Sequence, residues 1–214
     1  EVAKGVNEVA LYERPNCPED EHYTILEIRE HNRRFQTRTI SKIADYLSSM
    51  YRVDFRNEVL TLIWQDQVLT WDGMEEELLI ARDGNPYYRE FKFEIEVLDE
   101  NNEPKHHNVY GWVGVLAEGS RSKAGFSILH SGRVIKGWPE AWRPTSLYGQ
   151  IQGSNDLVNQ RLVGEIHLDD FDVSHTKDDI LWLGEEEELV EEGLLQQCGV
   201  FREVAKSHRK GTDD

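Results

Sequence analysis

The sequence predicts an α/β fold of the α+β kind, in which helices cover a mixed, largely antiparallel sheet. Apolar and charged residues alternate over residues 91–97, as they do in a strand with one buried face. Several other short apolar runs are separated by turns, and two longer segments repeat apolar residues at helical spacing. A chain of 214 residues can bury one sizeable core. We therefore expect one main domain with a C-terminal helix.

The first half of the chain is predicted to contain one helix among strands. Residues 23–29 form a strand-like run, and apolar residues then recur at helical spacing over 40–51. Thr37 or Thr39 can cap the first turn of that helix. The apolar runs 60–64 and 68–71 predict a hairpin, which residues 91–97 follow as the clearest strand in the chain.

The second half is predicted to add four strands before the C-terminal helix. Residues 109–116 are a strand interrupted by glycines, and 126–130 and 133–136 flank Ser131-Gly132, a dipeptide suited to a tight hairpin turn. Residues 137–160 have no sustained period and predict a long irregular segment. The run 161–168 is the last predicted strand.

The ten residues after that strand, VSHTKDDILW at 173–182, place one lysine in a polar loop. A helix is predicted over about 178–206, with a possible break at Gly193 or Gly199. Thr176 is in position to cap that helix, and Asp178 and Asp179 suit its positive end.

Charge and cysteine content restrict the function. With 24 basic and 41 acidic side chains the formal net charge is −17, so a general nucleic-acid-backbone surface is not expected. The basic exception is a cluster comprising Arg29, Arg33, Arg34, Arg38 and Lys42. Two cysteines predict no disulfide framework, which fits a reducing cytoplasm. No apolar run approaches the roughly 20 residues that a membrane helix requires.

Residues 159–182, together with 125–136 and 142–149, resemble the transducer domain of GHKL-type ATPases. This superfamily includes gyrase B, MutL, the ninety-kilodalton heat-shock chaperone and the MORC proteins, and the likeness is closest to bacterial MORC-like or chaperone-like ATP-binding proteins. It implies a ribosomal-protein-S-five domain-two-like fold with a left-handed βαβ crossover. It also implies a linker at 1–21 from an upstream ATP-binding domain, a transducer domain at 22–185 and a C-terminal helical extension at 186–214.

The resemblance implies a role for the loop lysine. In gyrase, MutL and MORC members a lysine of this domain reaches the γ-phosphate of ATP held in the preceding domain. Lys177 is its counterpart here, with Thr176 and His175 beside it, and His175 stands where the family pattern has Gln. ATP and Mg²⁺ are then bound mainly by the upstream domain, because this sequence has no Asp-x-Gly-x-Gly motif.

The resemblance also bears on assembly. The 214-residue chain alone is expected to be inactive and monomeric, whereas a full-length GHKL protein forms a nucleotide-gated homodimer. A DNA or protein client is possible for such a protein. No membrane association is expected.

Three other interpretations stay open on the sequence alone. A lysine before two aspartates is most often an exposed residue at a helix start. The loop 138–148, with its aromatic side chains, can serve a non-enzymatic β-rich interaction module or can pack on the sheet. The acidic segment 165–175, with His167 and His175, contains suitable ligands for a metal-dependent hydrolase, although its spacing matches no metal motif.

Overall fold

A five-stranded mixed sheet is the centre of the structure, a computed structural model that describes residues 37–71, 73–98, 101–149 and 156–208. The spatial order is β3-β4-β7-β5-β6, and every neighbouring pair is antiparallel except the parallel pair β5 and β7. A separate two-stranded hairpin precedes the sheet. The strands are β1 Ile63–Trp64, β2 Gln67–Val68, β3 Tyr88–Leu98, β4 Pro104–Val115, β5 Gly125–His130, β6 Arg133–Lys136 and β7 Leu162–His167.

The helices of the described residues lie before, within and after the sheet strands. They are α1 Thr37–Met50, α2 Arg52–Arg56, α3 Thr145–Tyr148, α4 Leu157–Arg161 and α5 Glu186–Ser207. A single 3₁₀ turn spans Glu75–Glu77. The fold is therefore mixed α/β with a C-terminal helix, as predicted.

Helix α5 covers one face of the sheet and forms the main core with it. Its buried residues recur at helical spacing, and they meet the alternate apolar residues of β3, β4, β5 and β7. Gly193 allows the close approach of α5 to β3, because a Cβ at this position would lie 2.2 Å from Cε2 of Phe93. The residues of α5 in this core are Val190, Leu194, Cys198, Phe201 and Ala205.

The opposite face of the sheet is partly polar. There Tyr110 stacks on His167 with ring centroids 4.5 Å apart, and Trp112 stacks on Tyr88 at 5.5 Å. Glu165 lies on the same face of β7 as His167, two residues away. The sheet thus separates an apolar core on the α5 side from an aromatic and charged surface on the other.

Most predicted strands and turns are confirmed. The strand predicted at 91–97 extends over the whole of β3, and both predicted hairpins form. Each hairpin turn has two consecutive residues with positive φ, Gln65 and Asp66 at 49° and 63°, and Ser131 and Gly132 at 51° and 77°. Such pairs match the strand twist of a two-residue hairpin. The predicted run 23–29 lies outside the described residues.

The start of the C-terminal helix was predicted wrongly. Helix α5 begins at Glu186, about two helical turns after the predicted start at Asp178, and Thr176 therefore does not cap it. The reason is that residues 180–183 alternate between buried and exposed positions, as in a strand, and do not follow the helical period. Ile180 is buried and Trp182 half-buried, whereas Leu181 and Leu183 are exposed. Neither glycine within α5 breaks the helix.

The segment 137–160 is less irregular than predicted, because it contains α3 and α4. The Asp156 side chain caps α4 by accepting a hydrogen bond from the Asn159 amide at 2.8 Å. These two helices connect β6 to β7, and through them the chain returns parallel to β5. The handedness of this crossover stays a prediction.

Candidate functional site

The predicted lysine lies at the end of a hydrogen-bonded loop, residues 172–181, which we call the Lys177 loop. Its two arms run antiparallel, with a bridge between Val173 and Ile180. The Leu181 amide donates to the Asp172 carbonyl at 2.8 Å, and the Ser174 amide donates to the Asp179 carbonyl at 3.0 Å. Backbone bonds therefore close the base of the loop.

At the apex, Lys177 adopts a left-handed backbone conformation with φ of 55°. A residue with a side chain pays about 1–2 kcal/mol for this conformation. The Lys177 amide donates to the Ser174 carbonyl at 2.9 Å and so closes a tight turn. Its side chain is exposed, and no described residue makes an ion pair or hydrogen bond with the ammonium.

The carboxylates beside Lys177 are occupied by other groups. Asp178 accepts a hydrogen bond from Ser174 Oγ at 2.7 Å and another from Thr176 Oγ1. The Thr176 and Ser174 hydroxyls lower the pKa of Asp178 below its usual value. Asp179 accepts from Lys136 Nζ of β6 at 2.7 Å. Asp178 is thus held by hydroxyl groups of its own loop and Asp179 by a lysine of β6, and among the described residues neither carboxylate forms an ion pair with Lys177.

The base of the loop is anchored in the main core. Ile180 is 6% exposed, and the Trp182 ring lies 5.6 Å from Phe171 and 5.9 Å from Trp142. Four residues after Trp182, α5 begins. A displacement of the loop base would therefore disturb the packing between the sheet and α5.

The three predicted site residues lie together at the tip. His175, Thr176 and Lys177 are all exposed and adjacent. The Thr176 hydroxyl serves the loop through Asp178, in place of the helix-capping role predicted for it. His175 and Lys177 are the tip side chains left to contact another molecule.

The acidic segment 165–175 does not converge on a common point. Asp169 accepts hydrogen bonds from the Tyr110 hydroxyl and the Ser131 amide, while Asp170 accepts from the Asn108 amide. Within the part of the chain that the structure describes, no three His, Cys, Asp or Glu side chains are grouped as metal ligands. The observed hydrogen bonds give these carboxylates structural roles.

A buried charge cluster on the polar face of the sheet was missed by sequence reasoning. Glu165 is 4% exposed, and Arg52 Nε lies 2.9 Å from its Oε1. Arg56 donates from Nη2 to both Glu165 oxygens at 2.9 and 3.0 Å. Burial by itself raises the pKa of Glu165, but Arg52, Arg56 and the Trp112 hydrogen bond outweigh it and lower that pKa.

This cluster joins α2 to the middle of the sheet. Burial lowers the pKa of Arg52 to about 10, so its guanidinium remains charged at neutral pH. The one sequence signal was an acidic residue inside the apolar run LVGEIHL at 162–168. Its arginine partners are more than a hundred positions away, as Arg56 is separated from Glu165 by 109 residues. No local pattern identifies such a pair.

The aromatic loop, residues 138–148, is largely packed. Trp142 is 8% exposed and Tyr148 4% exposed, and the Tyr148 hydroxyl donates to the Leu162 carbonyl at 2.8 Å. Trp138, which is half-buried, lines a groove with Ile43 and Leu47 of α1. Packing on the sheet therefore accounts for most of the aromatic surface of this loop.

No protein-family model matches this sequence, and no curated protein is significantly similar to it. Among the helices within the described ranges, none is both long and apolar enough to cross a membrane.

Proposed function

We propose that this chain is the transducer domain of a GHKL-type ATPase and that Lys177 contacts the γ-phosphate of ATP bound by a preceding domain. The observation that carries the proposal is the state of Lys177. It is exposed at the apex of an ordered loop, its backbone is left-handed, and its ammonium has no partner among the described residues. The left-handed backbone closes the turn at the apex, as it does in both hairpin turns, and so places the ammonium at the tip of the loop.

The loop is suited to presenting one cation. Asp178 and Asp179 would otherwise compete for the Lys177 ammonium, but Ser174, Thr176 and Lys136 occupy them. An ammonium on a flexible side chain can reach an anion in a neighbouring domain, and at a γ-phosphate it would offset the charge that develops during phosphoryl transfer. His175 and Thr176 lie beside it as further contacts.

The same loop supplies a route for coupling. ATP favours the docked arrangement of the two domains only by contacts made in that arrangement, and Lys177 would provide one. Because Ile180 and Trp182 fasten the loop to the core, docking of the tip is transmitted to the sheet and to α5. Loss of the γ-phosphate removes the contact and releases the domain.

The proposal extends to the complete protein that would contain this domain. Mg²⁺ would be held with ATP by the upstream domain, and the complete protein would be a cytoplasmic, nucleotide-gated homodimer. Its client would be DNA or another protein.

The test is steady-state ATP hydrolysis by a protein that carries both domains, with nucleotide binding measured separately. Lys177→Ala removes the ammonium and keeps the Cβ, so the cost of the left-handed backbone is unchanged, whereas Lys177→Gly removes the ammonium and also relieves that cost. We expect both variants to lose about tenfold or more in turnover, equivalent to about 1.4 kcal/mol of transition-state stabilisation. Lys206→Ala, which removes an exposed lysine at the end of α5, is the matched control.

Comparison of the variants separates the possible causes. Equal losses for Lys177→Gly and Lys177→Ala assign the effect to the charge. A loss for Lys177→Gly alone assigns it to the greater backbone flexibility of glycine and contradicts the phosphate contact. Unchanged turnover in both variants removes Lys177 from the ATP site.

A further inference from the structure

The outer edge of β3 is long and regular. This strand pairs with β4 along its whole length, from Tyr88 opposite Gly114 to Leu98 opposite Pro104, without a register shift. β3 is also the terminal strand of the sheet, and within the described ranges no strand pairs with its other side. At 11 residues it is longer than the five or six residues typical of a strand.

The direction of the free backbone groups follows from one hydrogen bond. The Val115 amide donates to the Tyr87 carbonyl at 3.1 Å, so the Tyr87 carbonyl points toward β4. In an antiparallel pair, alternate residues direct both backbone groups to the partner. The even-numbered residues from Glu90 to Leu98 therefore direct their amide and carbonyl groups away from the sheet.

The usual protections of an edge strand are mostly missing from β3. Natural edges are commonly short, bulged, or interrupted by proline, and β3 has none of these features. Among the described residues, its remaining protection is charge on the face opposite α5, carried by Glu90, Lys92, Glu94 and Glu96. These charges decide which strand can pair with the edge.

We propose that two copies of this chain pair through β3, antiparallel, about a two-fold axis at Phe91. In this register Glu90 of each copy lies opposite Lys92 of the other, and Tyr88 lies opposite Glu94. Both Glu90 and Lys92 direct their backbone groups outward, so they form the hydrogen-bonded pairs that flank the axis. The two sheets then continue across the interface as one.

Charge excludes the neighbouring registers. An axis at Glu90, Lys92 or Glu94 places like charges directly opposite each other. An axis at Phe93 pairs Lys92 with Glu94 but sets Glu90 against Glu96. Among these registers, pairing about Phe91 alone has opposite charges facing and no like charges facing, and directly opposed pairs are the unit of sheet stabilisation.

The inner side of the interface is compatible with this arrangement. Phe91 and Phe93 are covered by the α5 of their own copy, so pairing does not have to bury new apolar residues of β3. The net charge of −17 on each copy opposes association, but at physiological salt charges more than about 8 Å apart are largely screened. This contact does not depend on nucleotide or on Lys177, and it revises the expectation of a monomeric chain.

The test is sedimentation equilibrium of the 214-residue chain at physiological salt, with charge reversals in β3. We expect a concentration-dependent dimer in the wild type. Lys92→Glu and Glu90→Lys each create two like-charge pairs by symmetry, so each should raise the dimer dissociation constant about tenfold or more. The double variant restores opposite pairs with exchanged signs and should return the constant to near the wild-type value.

Control reversals separate a local contact from a change in net charge. Lys206→Glu and Glu76→Lys alter exposed residues away from β3 and should leave the dimer intact. A wild type that stays monomeric at all concentrations overturns the proposal. A dimer whose dissociation constant is unchanged by the β3 reversals also overturns it. So does a dimer that is restored by combining Lys92→Glu with Glu94→Lys and not by combining Lys92→Glu with Glu90→Lys.

Discussion

Replacement of Glu165 by glutamine should be among the most destabilising isosteric changes available in this chain. The side chain keeps its size and one acceptor oxygen, so no cavity forms, but the negative charge is lost. Arg52 and Arg56, which lie one helical turn apart on α2, then lose the counter-charge that they share. The two arginines are not equally affected by this loss.

The loss of stability in Glu165→Gln depends on how far each arginine can be hydrated by solvent once the carboxylate is gone. Arg56 is 43% exposed and can turn toward water, whereas Arg52 is 1% exposed and cannot. Among the described residues the Nε and Nη2 atoms of Arg52 have no hydrogen-bond partner, so its charge is stabilised by the electrostatic attraction of Glu165 and by the Trp71 ring, whose centroid lies 5.1 Å from the guanidinium carbon. Removal of one partner from a buried ion pair costs about 3–5 kcal/mol, and the retained amide oxygen favours the lower end. We expect about 3 kcal/mol, or a melting temperature lower by about 6–12 °C.

Urea unfolding at neutral pH measures this loss, and a paired replacement provides the control. Arg52→Met combined with Glu165→Leu removes both buried charges, and such apolar replacements are often neutral or stabilising. We expect the double variant to be more stable than Glu165→Gln. A loss below about 1 kcal/mol for Glu165→Gln, or a double variant no better than the single one, would refute the argument that Arg52 needs its counter-charge.

The ion pair between Glu165 and Arg52 also makes the stability of the protein depend on pH. The pKa of Glu165 is lowered in the folded protein from its ordinary value of 4.5, so its ionised form stabilises the fold above that pH. This contribution is lost as the pH falls through the lowered folded-state pKa. The stability difference between the wild type and Glu165→Gln should therefore be constant near neutral pH and shrink below about pH 4.5, as a pH series of unfolding curves would reveal.

Two further predictions concern the helix that covers the sheet. Gly193→Ala places a Cβ 2.2 Å from Phe93, so it should lower the free energy of unfolding by about 1–2 kcal/mol even after the gain in helix propensity. Gly199→Ala has no atom within 4 Å of its new Cβ, so it should raise the free energy of unfolding by up to about 1 kcal/mol. Equal effects in thermal unfolding would contradict the close packing of α5 on β3. Burial raises the pKa of the Cys198 thiol to about 12, so in a Cys17→Ser background iodoacetamide should alkylate it in urea and not in the native protein at neutral pH. Rapid native alkylation would show that this part of α5 opens.

Much of the fold could be predicted because its signals are local. The alternation in β3 and the turn residues of both hairpins depend on neighbours a few positions apart. The helix start at Glu186 was missed because the residues before it fit two structures. Their acidic residues favour a helix start, whereas the alternation of Ile180 and Trp182 with exposed leucines favours an extended chain. The core contacts of these two side chains decided in favour of the extended form.

By itself, the sequence determined the class of the fold, most of its strands and turns, and the presence of one lysine in a polar loop, because residue periodicity and turn chemistry act over short distances. Tertiary structure decided what Lys177 has around it, since Lys136 of a different strand occupies Asp179 and Lys177 has no ion-pair partner among the described residues. It also decided that Glu165 is an ion-pair partner in place of a metal ligand, because the charges that meet it come from a helix 109 positions earlier. Contacts between distant segments exist only after the chain has folded, and no local pattern encodes them.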